Sequence, residues 1–482
     1  MNGFRIVIAL SFSGIFAWGT LNFSGVEKGE RPRYRSCVGG WLLPTFVATL
    51  LGLNLVFFSW DGMNQLTDTW IFGVLLHVSL YFLLLTLALP LLRRSIRAGA
   101  CAMLWLVPNY LYMTYHTNLF LPPHWIVTLP WRWMGGLTSL WLAGMWTVLG
   151  WKIVAHLRFR RWLLREAELV ADPEVLSVWQ AEVERARVKK PKFRLVTSPQ
   201  AVTPMSIGLF ERSTRVVLPR RHYTPEELKL IFRHELVHVG RADAWNKFFL
   251  VFCTAMCWFN PLMWLAMRRS SEDLELSCDE AVLTGLGEEE RRRYAQLILR
   301  TAGDSRGFTT CLSASASALR YRLKSIMKSG RKLPGALLVG TVFFVLFMTC
   351  GQVGLAYEAG TGESAIYHGN SRQGVLEQVR QSDGGLPETM LVCRDEDALG
   401  DYLASLSLSE MSGSCRTFYG VGGEQIVLLY NTREKDVLSV VLWDDYIKVE
   451  PLGEDGAPAY YYYVSGGLDW EKLHRLLEPE VV

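Results

Sequence analysis

The residues best suited to chemistry lie in Ile231-Phe232-Arg233-His234-Glu235-Leu236-Val237-His238. His234 and His238 are four residues apart, so a helix puts both imidazoles on one face. Two imidazoles placed this way can share one Zn²⁺, with Glu235 beside the open coordination position. Hydrolytic zinc sites use three protein ligands and leave one position for water. The stretch Ser270-Ser271-Glu272-Asp273-Leu274-Glu275-Leu276-Ser277-Cys278-Asp279-Glu280 offers two candidates for the third, Glu272 and Glu275, one helical turn apart. Asp279 follows Glu275 by four residues and shares its face, where it could accept the second N–H of a ligand histidine and fix its tautomer. The plainer alternatives are a chance H-E-x-x-H and a solvated acidic helix face.

The elements that must position these groups are legible nearby. Thr224-Pro225-Glu226-Glu227 reads as an N-cap, a proline at the first helical position and a glutamate three residues after the cap. Leu228, Ile231, Phe232, Leu236 and Val239 supply an apolar stripe at helical spacing. Residues 245–267 are apolar enough to cross a bilayer, but a crossing would carry Glu275 away from His238. Asn260-Pro261 resolves this, because proline breaks a helix. Two helices are expected, 243–259 and 261–284, forming a hairpin that dips into or lies against the membrane and returns Glu275 to the histidines.

Composition bounds the rest. Half of the 482 residues are hydrophobic, 18 are tryptophan, and the formal net charge is only +4. This is too apolar for an ordinary soluble enzyme and carries no bulk nucleic-acid signature. The nine cysteines contain no C-x-x-C pair; Cys253 and Cys257 lie in an apolar run where packing is the expected role. Six apolar stretches read as spans: 4–25, 39–60, 70–92, 99–121 (weaker, interrupted by Pro108-Asn109), 135–156 and 334–355. Basic residues alternate between the short loops. Lys28, Arg31, Arg33 and Arg35 lie in the first loop, and Arg93, Arg94 and Arg97 in the third, while the second has none and the fourth only Arg132. By the positive-inside rule the N-terminus and the tail are outside and residues 157–333 are cytoplasmic.

The expected domains follow. Residues 1–156 hold five spans, 157–333 a cytoplasmic domain with the membrane-associated hairpin 243–284, 334–356 the last span, and 357–482 an extracellular domain, a candidate sensor. The fold class is mainly α: polytopic membrane helices with an α+β cytoplasmic domain and a small α+β C-terminal domain. Within 157–333 a helix over 162–187 and strands at Phe193–Thr197, Thr214–Leu218 and Met205–Phe210 are expected. In the tail, a helix over 398–406, a hairpin of 425–430 with 437–443, a strand at 460–464 and a helix over 470–477 are expected. The tyrosine run at 460–463 reads as a packed strand, with a binding surface as the alternative. Cys393 and Cys415 could pair in an oxidising exterior, or remain free thiols.

The stretch 190–330 resembles the antirepressor metallopeptidases of the BlaR and MecR type. The matching pieces are Gly208–Pro219, His234-Glu235-Leu236-Val237-His238 followed by Asp243, Trp258-Phe259-Asn260-Pro261, Glu275-Leu276-Ser277-Cys278-Asp279-Glu280-Ala281-Val282 and Tyr321-Arg322-Leu323. The resemblance implies a zincin-type (gluzincin) endopeptidase on the cytoplasmic face, with His234, His238 and Glu275 as zinc ligands and Glu235 as general base. It also implies a protein substrate, either the chain itself or a cytoplasmic repressor, and an external sensor. It does not extend to a penicillin-binding sensor: residues 357–482 contain no Ser-x-x-Lys, which such a site needs. The partners expected are therefore a protein substrate, the lipid bilayer, an unidentified external ligand and, as a candidate, a second copy of the chain, with no direct nucleic-acid contact. A constitutive quality-control protease resembling the HtpX type and a non-catalytic receptor are the alternatives. His222, Tyr223 and Arg241 are near the motif in sequence, but none is assigned to oxyanion stabilisation.

Overall fold

The computed structural model describes residues 2–23, 39–57, 60, 63, 66–113, 125–129, 134–186, 192–303, 316–327, 332–349, 353–366, 375–383, 389–411, 424–431, 437–451 and 459–479. The chain divides into two compact units. One comprises Met1–Thr49, Leu75–Tyr112 and Leu140–Met348; the other comprises Leu50–Val74, Met113–Ser139 and Thr349–Val482.

Among the described residues two helices are long and apolar enough to cross a membrane, within Phe72–Ser95 and Gly136–Leu164. On the first, Leu80, Leu84, Leu87 and Leu91 form an exposed stripe at helical spacing, while Val78, Phe82, Leu85 and Leu89 are buried. A leucine stripe left uncovered on one face is what lipid contact requires. The apolar helices Ile6–Leu21, Leu42–Phe57 and Ala336–Thr349 are shorter. At 1.5 Å per residue, the 14 residues of Ala336–Thr349 cover about 21 Å, short of a ~30 Å hydrocarbon core. The last expected span therefore ends earlier than 355 as a helix, and Val353 already begins a strand.

The weak fourth span is not one helix in its described part. Ala98–Leu104 is a seven-residue helix with every residue buried, followed by a 3₁₀ segment, Val107–Met113. Pro108 lacks the amide that a continuing α-helix would use. This short helix packs on protein: Gly99 N donates to Glu280 Oε2 at 3.2 Å, and Trp105 Nε1 donates to Asp273 Oδ2 at 2.7 Å. Arg93 Nε completes the buried Asp273 carboxylate at 2.7 Å.

The motif-bearing part is a small sheet under helices. The expected single helix over 162–187 is broken. The helix Met134–Leu164 ends first, a short strand follows at Glu168–Leu169, and a second helix runs Pro173–Arg185. The restart is local, since Asp172 accepts from Glu174 N and Pro173 takes the first helical position. The four-stranded sheet has the order Glu168–Leu169, Arg194–Ser198, Arg215–Pro219, Met205–Ile207, with Met205–Ile207 at an edge. Val216 and Leu218 of the sheet, Phe232 and Leu236 of the motif helix and Trp179 of Pro173–Arg185 share one core. Arg233 and Glu182 are both buried and joined twice, at 2.9 and 3.2 Å, which locks Pro173–Arg185 onto the motif helix.

The hairpin forms as two helices, Asp243–Met256 and Pro261–Leu283. Asn260 caps the second by accepting from Leu262 N at 3.0 Å, and Pro261 opens it. The tip is tied to the helix Met134–Leu164: Trp141 Nε1 donates to Met256 O at 2.7 Å and Trp258 Nε1 to Trp141 O at 3.3 Å.

The second unit is built on a ten-stranded sheet. Its order is Trp125–Leu129, Val353–Thr361, Ser407–Met411, Tyr460–Val464, Tyr446–Pro451, Val437–Trp443, Glu424–Asn431, Val375–Asp383, Thr389–Cys393, Leu477–Pro479. Ile426, Leu428 and Tyr430 alternate inward onto a core that includes Leu399, Leu403 and Leu473 from the helices Glu396–Ser405 and Trp470–Leu476. Tyr462 joins that core, and Tyr461 packs with Trp443 and Tyr446 on the other face. The tyrosine run is thus a packed strand. Trp125–Leu129 was not anticipated; it pairs in parallel with Val353–Tyr357. Cys393 is a free thiol, and Cys415 lies outside the described residues.

A Cβ at Gly144 would run into the Trp258 indole, a rigid neighbour already held by its hydrogen bond. Gly144→Ala is expected to destabilise the protein by about 1–3 kcal/mol through overpacking. Thermal unfolding in detergent checks this: a midpoint equal to that of the unsubstituted protein would mean the indole is free to move.

Candidate metal centre

The motif helix spans Pro225–Gly240 and begins with the full reciprocal cap. Thr224 Oγ1 accepts from Glu227 N at 3.3 Å and Glu227 Oε2 accepts from Thr224 N at 3.0 Å. His234 and His238 project from one face, with their Nε2 atoms 3.2 Å apart. The helix Pro261–Leu283 brings Glu275 to the same point: Oε2 is 3.5 Å from His234 Nε2 and Oε1 is 3.6 Å from His238 Nε2. Glu272 goes elsewhere, pairing with Arg93 at 3.5 Å and Arg269 at 3.4 Å. Of the two candidates in the sequence, the fold brings only Glu275 to the histidines.

The groups behind the imidazoles decide which nitrogen carries the proton. His238 Nδ1 lies 2.7 Å from Asp243 Oδ2, and a carboxylate there can only accept, so Nδ1 is the N–H and Nε2 the lone pair. Asn246 Nδ2 donates to the other oxygen of Asp243 at 3.1 Å. His234 Nδ1 lies 2.8 Å from Tyr294 Oη, whose hydroxyl donates to Asp279 Oδ1 at 2.7 Å. Burial, with Asp279 beside it, holds the Tyr294 phenol well above its ordinary range, so it stays protonated. With its one proton given to Asp279, its oxygen accepts from His234 Nδ1. In the neutral rings both Nε2 atoms therefore carry the lone pairs, facing each other and Glu275.

Asp279 thus reaches its histidine through a tyrosine rather than directly, its own oxygen being 3.6 Å from His234 Nδ1. Arg322, from the helix Ala316–Met327, anchors it with two contacts of 2.8 Å and lies 3.5 Å from Glu275 Oε2. Asp243 and Tyr294 were not assigned from the sequence. Asp243 has a local signal, lying five residues after His238. Tyr294 lies 60 residues from His234, and no spacing rule links them. Arg241 is fully buried and donates to Ser277 Oγ at 2.7 Å.

This donor set fits a divalent cation. Two imidazole lone pairs and a carboxylate converge within 3.2–3.6 Å, an arrangement that repels itself unless positive charge sits between. Cys278 Sγ also lies within 4.8 Å of the ring nitrogens that could serve as ligands. Glu235 adds a second sign: its residue is 5 % exposed and its Oε2 is buried with no hydrogen-bond partner among the described residues. A buried carboxylate oxygen left unpaired is costly and marks a position where a polar molecule belongs.

The same crowding draws protons. Burial works against a charged ring, but Cys278 and Glu275 outweigh it, and His234 is pushed up to about 10. His238 is raised for the same reasons. For Glu275, burial is outweighed by His238 and Lys247, and its carboxyl is held well below the usual range. Protons thus compete with a cation for the Nε2 lone pairs. Metal affinity is expected to rise with pH from neutral towards 10, and uptake should release about one proton or more per ion. Calorimetry in buffers of different ionisation enthalpy checks this; a pH-independent affinity would contradict it. Asp243→Ala and Tyr294→Phe are each expected to weaken metal binding about 10–100-fold, measured by chelator competition.

Residues 128–326 match the family model described as BlaR1 peptidase M56. The chain is 28% identical over 160 residues to the regulatory protein BlaR1 of Bacillus licheniformis, covering 33% of this chain and 26% of that protein. It is 34% identical over 101 residues to the methicillin resistance mecR1 protein of Staphylococcus aureus, covering 20% of this chain and 17% of that one. The chain therefore spans about a quarter or less of the length of these relatives. The match takes in both histidines, Glu275 and the residues that orient them, and over this region the chain is similar to the BlaR/MecR-type M56 peptidases.

Proposed function

We propose that this protein is a membrane-embedded, zinc-dependent endopeptidase in signal transduction, cleaving itself, a cytoplasmic regulator, or both in response to an external cue. The observation that carries the reading is the pair of inward Nε2 lone pairs facing Glu275, with the orphaned Glu235 Oε2 close by in sequence and buried. His234, His238 and Glu275 would hold the ion. When bound, zinc supplies Lewis acidity and lowers the pKa of water towards ~7.

The chain's own residues do the remaining work. Glu235 Oε2 accepts the proton of the attacking water and returns it to the leaving amine. Asp243 and the Tyr294–Asp279–Arg322 chain keep both imidazoles in the tautomer that points Nε2 inward. Met205–Ile207, at a sheet edge, offers unpaired backbone groups on which an extended peptide can add as a strand.

The membrane arrangement is supported from two directions. The basic residues alternate between loops. Independently, Trp125–Leu129, from the fourth loop, pairs with Val353–Tyr357 at the start of the tail, which supports a place for both on the same side of a bilayer. The charge pattern assigns both to the outside, and residues 157–333 with the metal centre to the cytoplasm.

Purified protein in detergent tests the reading. Near-stoichiometric zinc is expected in the unsubstituted chain and in Glu235→Ala, with markedly less in Glu275→Gln. Self-cleavage or cleavage of a supplied regulator should fall about 10²–10⁴-fold in Glu235→Ala. Undiminished cleavage in that variant would refute the assigned base, and a chain that takes up no zinc would leave a non-catalytic receptor. Deleting residues 357–482 separates a gated enzyme, whose response to the cue is lost, from a constitutive one, whose proteolysis is unchanged.

A further inference from the structure

The helix Pro261–Leu283 delivers two potential donors to the centre. Cys278 follows Glu275 by three residues, so both side chains leave the helix on neighbouring sides of one face. Cys278 is fully buried, and its Sγ lies within 4.8 Å of both ligand imidazoles. Its partner is the His234 carbonyl, at 3.4 Å. A thiol is a weak donor, so that contact is easily exchanged for a stronger one. The deprotonated sulfur is among the best zinc donors that proteins possess. Three protein ligands leave a hydrolytic site open; a fourth, when it includes cysteine, is the pattern of closed sites.

We propose that Cys278 Sγ is a further donor to the metal held by His234, His238 and Glu275, so that the resting centre is closed to water. The inference rests on the zinc reading above. On closure the S–H bond breaks, its proton passes to solvent, and a metal–sulfur bond forms. On opening the sulfur takes up a proton, the metal–sulfur bond breaks, the thiol returns to the His234 carbonyl and one coordination position becomes available to water. No oxidant or reductant is involved. The enzyme would then be held inactive by its own ligand helix, and any signal that shifts this helix slightly relative to the motif helix would open it.

The test uses the full chain in detergent, loaded with zinc for X-ray absorption and with cobalt(II) for optical spectroscopy. The zinc-loaded chain should show one sulfur scatterer at about 2.3 Å, and the cobalt form a near-ultraviolet thiolate charge-transfer band. Both should be lost in Cys278→Ser while the metal-to-protein ratio stays unchanged. A loaded, unsubstituted chain with only nitrogen and oxygen donors would overturn the proposal and leave the His₂Glu centre intact. Sulfur scattering that survives in Cys278→Ser would also overturn it, by assigning the signal to another cysteine. A chain that binds no metal would overturn the centre and this inference together. The spectrum of the unsubstituted chain decides the matter even if the variant does not fold.

Discussion

Two imidazole nitrogens 3.2 Å apart, facing one carboxylate, are the constraint on which the site depends. They would separate unless something positive lay between them and something held the rings in place. Asp243 holds one ring and Tyr294 the other, both from the Nδ1 side. The hydrogen bonds behind the rings are thus as much a part of the centre as the atoms in front. Asp279 and Arg322 extend the support for His234 through two further residues. Each link is charged or hydrogen-bonded and mostly buried, which makes the chain stiff and its failure costly.

The helical hairpin Asp243–Leu283 is the second requirement. An uninterrupted apolar helix from Trp245 onward would have carried Glu275 away from the histidines. Asn260 and Pro261 end one helix and begin another, and the tryptophans at the turn fasten it to the helix Met134–Leu164. Farther along the returning helix, Asp273 is fixed by Arg93 and Trp105. Glu275 is two residues from that anchor, so its approach to the histidines is set by a buried ion pair with good geometry rather than by a loop.

Arg322 links the centre to the segment that leads into the helix Ala336–Thr349. It touches both Asp279 and Glu275, one a support of His234 and the other the carboxylate that faces both histidines. A displacement of Ala316–Met327 would therefore be felt at Glu275 and behind the first histidine at once. This gives physical content to the idea of an enzyme controlled through its last apolar helix: the contact that would transmit the change is a pair of charged hydrogen bonds at 2.8 Å.

Local chemistry made several elements readable in the one-dimensional chain. The capping box and the i, i+4 histidines dictate the motif helix, because both depend on residues within a few positions of each other. The proline turn dictates the hairpin for the same reason. In the C-terminal unit, β-favouring residues were enough to place strands such as Tyr460–Val464. What local chemistry left open was every choice between distant groups. Glu272 and Glu275 are equivalent by spacing, and only the packing of two helices sends one to Arg93 and the other to the histidines. Tyr294 enters between His234 and Asp279 because a third helix happens to pass there. The break at 165–172 and the pairing of Trp125–Leu129 with Val353–Tyr357 likewise depend on partners far away in the chain. The sequence by itself determined the two histidines, the glutamate between them and the turn that brings a carboxylate back. The tertiary structure decided which carboxylate, which tautomers and which thiol share the centre, since those are set by distances between elements that no local pattern encodes.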